Sequence, residues 1–566
     1  MRSIYLLVLL LALLGRPWRV AAQDTLTVAP AFVHLDAGRQ LLLVNAPLAA
    51  LQPTGDSLRA LRCGGRVYVF AHALPRPSPA VAYRATLRGT AYTVYFTRLP
   101  VLDFTVRQPI ADTPYVYARL ALADTTGLLA QTGMGIQLRG AYTQGLVKKS
   151  YELSLWADST GATTQSLPLL GLRNDATWNL EALYNDPLRL RMKTANELWQ
   201  QINQPYYQAQ EPAAKTSIGF AYVEVFRNGS YQGIYALTER IDRKQLQLKK
   251  YSSNTIQGEL YKGVGWDSAV VYHAAPPFDN RSPLWSGFEY HEPSQKIDWT
   301  SLHDFVSFVV HSPDTAFYRQ FPARFNQASA VDYFLFMNLV RAADNTGKNL
   351  YVAKYKRGEP YFFVPWDLDG TFGDDWAGNH DSTTTDVLSN GLYDRLQRST
   401  GPGGFWPAAA RRWVALRSSL LTQPRLVAAL QANAQLLLRN AVYEREHLAW
   451  PDYQYDPRQL AYPAAWLTAR LTYLDQLFGY QPLATADAAS ATAAVQLYPN
   501  PARGTLYVAA AAPGTQLTVL DLRGRRVLQA TVSGSTRLDL SGLVPGLYLA
   551  CISSAVGSTV QKLVVQ

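Results

Sequence analysis

The sequence predicts an α+β protein, with a large mixed domain preceded by a small β region and followed by a small β-sandwich. Three observations carry this. The chain has 566 residues, too many for one ordinary core. Both ends are written in short alternating apolar runs closed by Gly, Pro or Asp, the pattern of antiparallel strands. Between them, helical stretches alternate with strand-like ones. A composition of 48% hydrophobic, 12% aromatic and 17% charged residues excludes a disordered or collagen-like chain.

The first element is a leader. Met1-Arg2 gives a basic start, Ile4 to Leu14 is an unbroken apolar run, and Val20-Ala21-Ala22 offers small residues for a signal peptidase. Residues 1–22 therefore read as a signal peptide and the protein as exported. The run is too short to stay in a bilayer, and no other stretch of about 18 apolar residues exists, so the mature chain is expected to lack a transmembrane helix. Net charge is +11, of which Arg2, Arg16 and Arg19 belong to the leader. The last 74 residues add a net +4, leaving about +4 for the large middle. That is too small to argue for nucleic acid, which needs a concentrated basic face, and it leaves room for a local positive pocket for phosphate. Cys63 and Cys551 stand almost a chain apart with no CxxC pair, which rules out a thiolate zinc site and a disulfide scaffold.

Residues 23–104 alternate through Gln40–Val44, Arg66–Phe70 and Ala91–Thr97, an antiparallel β region ending near Val101. From 105 to 480 the texture is mixed. Strand-like Tyr115–Ala123 and Gly135–Arg139 precede Lys148–Trp156. A helix is predicted over Pro187–Ile202, with Asp186 as N-cap and Pro187 at its first position. Asn228-Gly229 between Ala221–Phe226 and Tyr231–Leu237 is a hairpin turn, because both central residues accept positive φ. Further helices are predicted over Trp299–His311, Ala328–Ala342, Ala408–Leu438 and Pro463–Phe478. Residues 481–494 are Ala/Thr/Ser-rich and read as a linker. From 495 to 566, runs at Thr505–Ala509, Gln516–Leu520, Thr536–Leu540 and Leu547–Ile552 suit the small sandwich.

Chemistry concentrates between Arg341 and Gly373. Apolar runs Leu350–Tyr355 and Pro360–Val364 flank Lys356-Arg357-Gly358-Glu359, a β-hairpin with its turn near Gly358. Asn349 and Asp367 are equidistant from that turn, so antiparallel pairing sets them side by side at the open end, with Asp344 in the loop before. Paired strands lie about 5 Å apart, and a carboxylate and a carboxamide at that spacing can share one hard cation. Asp369 either joins them or caps the next turn. Phosphoryl transfer needs this set: one Asp to orient or deprotonate the attacking hydroxyl, and Asp and Asn oxygens to hold Mg²⁺ against phosphates. The spacing Asp344-x-x-x-x-Asn349 is that of the protein-kinase catalytic loop. An EF-hand starting at Asp367 fails, because position twelve would be Gly378 where a bidentate Glu is needed.

Cations for the phosphates are sought around Arg139-Gly140. Gly140 permits close backbone approach, and Arg139, Lys148 and Lys149 are within reach of a phosphate. Neighbours on a strand face opposite ways, so one lysine of the pair enters a cleft. Glu239, closing the Asn228-Gly229 hairpin, either borders the nucleotide or makes an ion pair with Arg240 or Arg243. There is no Walker A motif, no H-E-x-x-H and no G-x-S-x-G elbow, which removes P-loop, zincin and serine-hydrolase chemistry.

Arg139-Gly140, Lys148-Lys149-Ser150-Tyr151, Asn228-Gly229-x-Tyr231-x-Gly233-x-Tyr235 with Glu239, Asp344 to Asn349, and Pro365-Trp366-Asp367-Leu368-Asp369-Gly370-Thr371-Phe372-Gly373 occur in the order of the CotH kinase family, and the chain resembles it over 105–480. The resemblance implies a divergent protein-kinase-like fold using ATP and Mg²⁺ or Mn²⁺ to phosphorylate Ser or Thr of a protein substrate. It makes Asp344 catalytic and Asn349 and Asp367 metal ligands, with Lys148 or Lys149 on the phosphates. Ala141-Tyr142-Thr143 departs from the small polar run usual after Arg-Gly in that family. Leu497-Tyr498-Pro499-Asn500-Pro501, Val519 to Val527 and Ser541 to Tyr548 resemble the type IX secretion C-terminal sorting domain. This second likeness implies passage through the type IX secretion machinery to a secreted or surface location. Two rival functions stand beside the kinase: an inactive kinase-like surface binding or adhesion protein, favoured by the scarcity of ATP outside cells, and a phosphotransferase acting on a glycan.

Overall fold

The computed structural model describes residues 25–47, 57–481, 495–521, 525–554 and 557–566. The leader 1–22 and all but the first residue of the linker 481–494 lie outside the described residues. The chain divides into two units, Met1–Tyr480 and Gln481–Gln566.

The first unit opens with a seven-stranded sheet. Its strands are β1 (Thr25–Thr27), β2 (Val33–Asp36), β3 (Leu41–Val44), β4 (Leu58–Cys63), β5 (Arg66–Leu74), β6 (Ala82–Leu87) and β7 (Thr90–Phe96), in the order β1-β4-β5-β6-β7-β3-β2. The continuous run Leu41-Leu42-Leu43-Val44 is buried on both faces. Leu42 and Val44 enter this sheet's own core with Val94 and Phe96, while Leu41, Leu43 and Tyr95 pack on Val101, Phe226 and Tyr231 of a neighbouring barrel.

That barrel is closed and consists of β8 (Val101–Val106), β9 (Val116–Asp124), β10 (Gly127–Leu138), β11 (Tyr151–Trp156), β14 (Thr177–Glu181), β15 (Phe220–Arg227) and β16 (Ser230–Thr238). A two-residue ribbon, β12 (Leu167–Pro168) with β13 (Asn174–Asp175), lies outside it. Phe104, Leu120, Met134, Leu153, Trp178, Val225 and Tyr235 fill the interior. The predicted hairpin is present. Asn228 and Gly229 take φ of 51° and 73°, and the Asn228 side chain bonds both the N–H and the C=O of Val106, joining β8 to the turn.

Next in the chain comes a five-stranded sheet in the order β18 (Leu284–Trp285), β19 (Phe288–Glu292), β17 (Glu259–Gly263), β20 (Leu350–Lys354) and β21 (Tyr361–Pro365). Both faces are covered, which is why β20 and β21 read as nearly unbroken apolar runs. Leu350, Val352, Tyr361 and Phe363 face the helices, while Tyr351, Ala353, Phe362 and Val364 pack with Tyr207, Ile218 and Leu246. The helices are α1 (Arg191–Ile202), α2 (Thr300–His311), α3 (Asp314–Arg324), α4 (Gln327–Val340), α5 (Gly391–Gln397), α6 (Phe405–Arg417), α7 (Gln423–Leu438), α8 (Val442–Ala449) and α9 (Ala461–Phe478). Phe363 is fully buried among Phe325, Tyr333 and Tyr393. Phe363→Ala is expected to cost about 3 kcal/mol, as lost transfer energy plus an unfilled cavity. Urea titration of the variant against wild type checks this.

The N-terminal sheet is mixed rather than antiparallel, since β1 with β4 and β3 with β7 pair in parallel, and the helices differ from the sequence reading in three ways. Asp186 does cap, accepting the N–H of Leu188, Leu190 and Arg191 at 2.6–2.9 Å, but Arg189 turns left-handed (φ 59°) and the helix starts only at Arg191. The single helix expected over 408–438 is two, because the chain turns at Ser418–Leu421 and Pro424 restarts it near the first position of α7. α3, α5 and α8 have no counterpart in the sequence reading; α3 contains Pro322, and α5 and α8 have only seven and eight residues.

In the second unit, β22 (Gln496–Tyr498), β23 (Thr505–Leu520), β24 (Arg526–Asp539), β25 (Gly546–Ser554) and β26 (Gly557–Val565) form one hydrogen-bonded sheet rather than two separate ones. The 16-residue β23 accounts for this, pairing with β22, β24 and β25 along its length and shifting register at Val508–Thr515. Leu506, Val508, Leu517, Val519, Ile552 and Leu563 form its core.

Candidate active site

The antiparallel register of β20 and β21 pairs Leu350 with Pro365, and the Asn349 C=O accepts the Trp366 N–H at 2.9 Å. Asn349 and Asp367 thus stand at the open end of the hairpin, within one residue of the pairing that symmetry about Gly358 predicts. Both are left-handed, at φ 56° and 54°, as are Arg341 at the end of α4 and Phe372 in the following loop. Four non-glycine residues in that region within about thirty residues is a concentration of backbone strain of the sort held at functional sites. Asn345 holds it in place: its Nδ2 donates to the C=O of both Asn349 and Trp366, and its own C=O accepts from the Tyr333 hydroxyl. On the far side, the Phe372 N–H donates to the Val340 C=O, and Gly373 (φ 88°) lies so close to Trp466 that a Cβ would meet its ring at 2.6 Å.

These two loops form one wall of a cleft of about 620 Å³. The opposite wall is the Arg139–Leu146 segment and the end of β14, and β17 supplies Lys262 and Gly263. Of the residues singled out from sequence, Arg139, Asp344, Asn349, Asp367 and Asp369 all line it. Arg139 is paired with Glu181 and lies over the Trp366 ring. Asp369 lines the cleft, and its Oδ1 accepts the Gly370 N–H of the next turn while Oδ2 accepts from Asn185.

Three sequence candidates are placed elsewhere. Lys148 does not line the cleft; it is fully buried, donating to both Glu446 oxygens and to the Ile234 C=O and lying over the Tyr235 ring. Burial lowers its ammonium to about 8 against the upward pull of Glu446. Lys149 is tied to the Gln144 C=O at 2.6 Å and is also outside the cleft lining. Glu239 is buried, accepting from the Arg173 and Gly219 N–H groups and from Gln245, and makes neither nucleotide-cleft contact nor the Arg240 or Arg243 pair. Residues not foreseen are Lys262, Lys348, Glu181 and Glu289 in the lining, and Asn345 beneath it. Of these, Asn345 and Lys348 lie inside the Asp344 to Asn349 stretch, and the others left no trace in the sequence.

The carboxylates oppose one another. Burial raises the Asp344 carboxyl above its ordinary range; Lys348 pulls it back, and Asp367 and Asp375 push it further up. Burial with the Asp367 charge raises Asp369 well above its usual value, against the pull of Asn185. Asp367 accepts no hydrogen bond and makes no ion pair with a described residue, and Asp344 receives only a 3.5 Å contact from the Asn349 amide. Uncommitted, mutually repelling oxygens beside a carboxamide oxygen fit a hard divalent cation. Among the described residues, no three acidic, His or Cys side chains already converge as a finished metal cluster.

The cleft lies between the β-barrel and the helix-backed sheet and is lined by carboxylates from both. Residues 136–454 match the CotH kinase protein family, and the chain belongs to that family. Residues 496–566 match the secretion system C-terminal sorting domain. The sorting tail implies handling by type IX secretion machinery and a secreted or cell-surface product. No helix among the described residues is long and apolar enough to cross a membrane. No curated protein matches the chain. Among solved structures, PorZ, a bacterial surface component of the type IX secretion system of Porphyromonas gingivalis, is similar at 23% identity with a TM-score of 0.12. That likeness spans 14% of this chain and 12% of the PorZ chain.

Proposed function

We propose that the protein is an exported atypical kinase that transfers the γ-phosphate of ATP to Ser or Thr hydroxyls of surface or secreted proteins. The observation that carries this reading is the pair of uncommitted carboxylates, Asp344 and Asp367, beside Asn349 in one cleft. Asp344 orients the acceptor hydroxyl and takes its proton as the oxygen attacks the γ-phosphorus and the bond to the β–γ bridging oxygen breaks, releasing ADP. Asp367 and Asn349, with Asp369 beside them, would hold Mg²⁺ or Mn²⁺, which neutralises phosphate charge. Six carboxylates line the cleft against three cations, Arg139, Lys262 and Lys348, so a triphosphate is repelled unless divalent ions accompany it.

Nucleotide binding is therefore expected to depend strictly on the divalent ion, and Asp367→Ala is expected to lose that dependence together with the binding. Calorimetric titration of ATP with and without Mn²⁺ tests both. ATP affinity that is equal with and without metal would end the reading.

Transfer to a glycan hydroxyl is a second reading. The rings of Tyr142 and Trp376 meet edge-on with centroids 4.7 Å apart at the cleft, and both are about half exposed. Exposed aromatic faces beside a transfer site suit apolar sugar faces as well as peptide side chains. Labelled phosphate recovered on sugar rather than on Ser or Thr would select it.

A further inference from the structure

Three cations line the cleft, and they differ in what already holds them. Arg139 is bound to Glu181. Lys348 sits beside Asp344, which feels its charge. Lys262, on β17, is partly buried and makes no hydrogen bond or ion pair with any described residue. The β17–β19 register sets Glu289 directly across from it, where a cross-strand ion pair would be expected. That carboxylate instead lies 3.2 Å from Nε2 of His291, two residues along its own strand and on the same face. Burial pushes the Lys262 ammonium down, with Glu289 pulling it up and Arg139 opposing. A partly desolvated cation without a partner is held less favourably than in water, and an arriving anion relieves that cost. Its position suits this, because the C=O of the next residue, Gly263, accepts the Asn349 N–H at 3.1 Å, placing Lys262 beside the proposed metal ligands.

Resting on the kinase reading, we propose that Lys262 binds the polyphosphate of the nucleotide, the role that closeness in sequence to Gly140 gives to Lys148 or Lys149. The test uses the full chain with two probes, ATP and inorganic tripolyphosphate, each with Mg²⁺. Binding is followed by calorimetry and set beside a transfer assay. Lys262→Met removes the charge and keeps the stem, Lys262→Arg keeps the charge, and Lys250→Met on the exposed surface is the control.

Lys262→Met is expected to weaken both probes by about tenfold or more and to raise KM for ATP alike, with kcat changed less than about threefold. Its melting temperature should not fall, and Lys262→Arg should recover most of the affinity. Unchanged affinity in Lys262→Met, or a wild type that binds neither probe, overturns the assignment. A wild type that binds tripolyphosphate through Lys262 but transfers nothing from ATP leaves the assignment standing and removes the kinase. Transfer by wild type, with Lys262→Met at unchanged KM, does the reverse.

Discussion

Asp344→Asn is expected to lower phosphoryl transfer by about 10³-fold, within the range a positioned general base contributes, while KM for ATP stays near wild type. The substitution is isosteric and keeps the 3₁₀ turn at Ala343–Thr346, whose backbone bonds do not use the Asp344 side chain. It also removes one of the repelling charges around Asp367 and Asp369, so the metal-free variant should melt no lower than wild type. That combination separates a base from a structural carboxylate: activity lost, fold kept, nucleotide still bound. The measurement is single-turnover transfer from labelled ATP with differential scanning calorimetry on the same samples. Transfer within about threefold of wild type would take the proton-accepting role away from Asp344.

Of the cleft's lining, the carboxylates around the hairpin and Arg139 were legible in the sequence, whereas Glu181, Glu289 and the two lysines were not, for a physical reason. Asn349 and Asp367 flank one hairpin, so local symmetry about Gly358 placed them to within a residue of the observed register, and Asp369 follows two residues on. Asp344 lies five residues upstream, inside the same short range. Lysine assignment depended on which strands meet across the fold. Lys262 joins the cleft through pairing of β17 with β20, whose partners are about ninety residues apart, and nothing in Glu259–Gly263 announces that pairing. Lys148 carried the sequence argument because it lies near Gly140, yet the chain between them folds as a 3₁₀ turn and Lys148 points to Glu446. The same limit applies to helices. Long, periodic α2, α4 and α9 were readable, whereas the break between α6 and α7 depends on how the chain packs at Ser418–Thr422.

Glu446→Ala is expected to be the most destabilising single change in the barrel unit, at or beyond the upper end of the roughly 3–5 kcal/mol seen when one member of a buried ion pair is removed. Its carboxylate, fully buried on α8, accepts from Lys148 at 2.9 and 3.2 Å, from Arg189 at 3.1 and 3.2 Å, and from the Ile234 N–H at 2.5 Å. Gly233 leaves the room for it, since a Cβ there would stand 2.0 Å from Oε1. Removal strands two cations and a backbone donor out of reach of water. The pH dependence separates this cause from simple loss of packing. Burial already lowers Lys148 to about 8, below its ordinary value of 10.5, so the native state binds fewer protons than the unfolded one in that window. Its contribution to stability accordingly rises with pH there. Without Glu446 the ammonium falls further, and Glu446→Ala should regain part of its loss as pH is raised from about 7 to 10. Adding Lys148→Met should restore part of the loss at pH 7, leaving Arg189 to account for the rest, with a coupling of about 1–3 kcal/mol in the double-mutant cycle. Denaturant melts of the four proteins measure it. Additive losses with no recovery at high pH would show that Glu446 stabilises the barrel by packing and not by its charge.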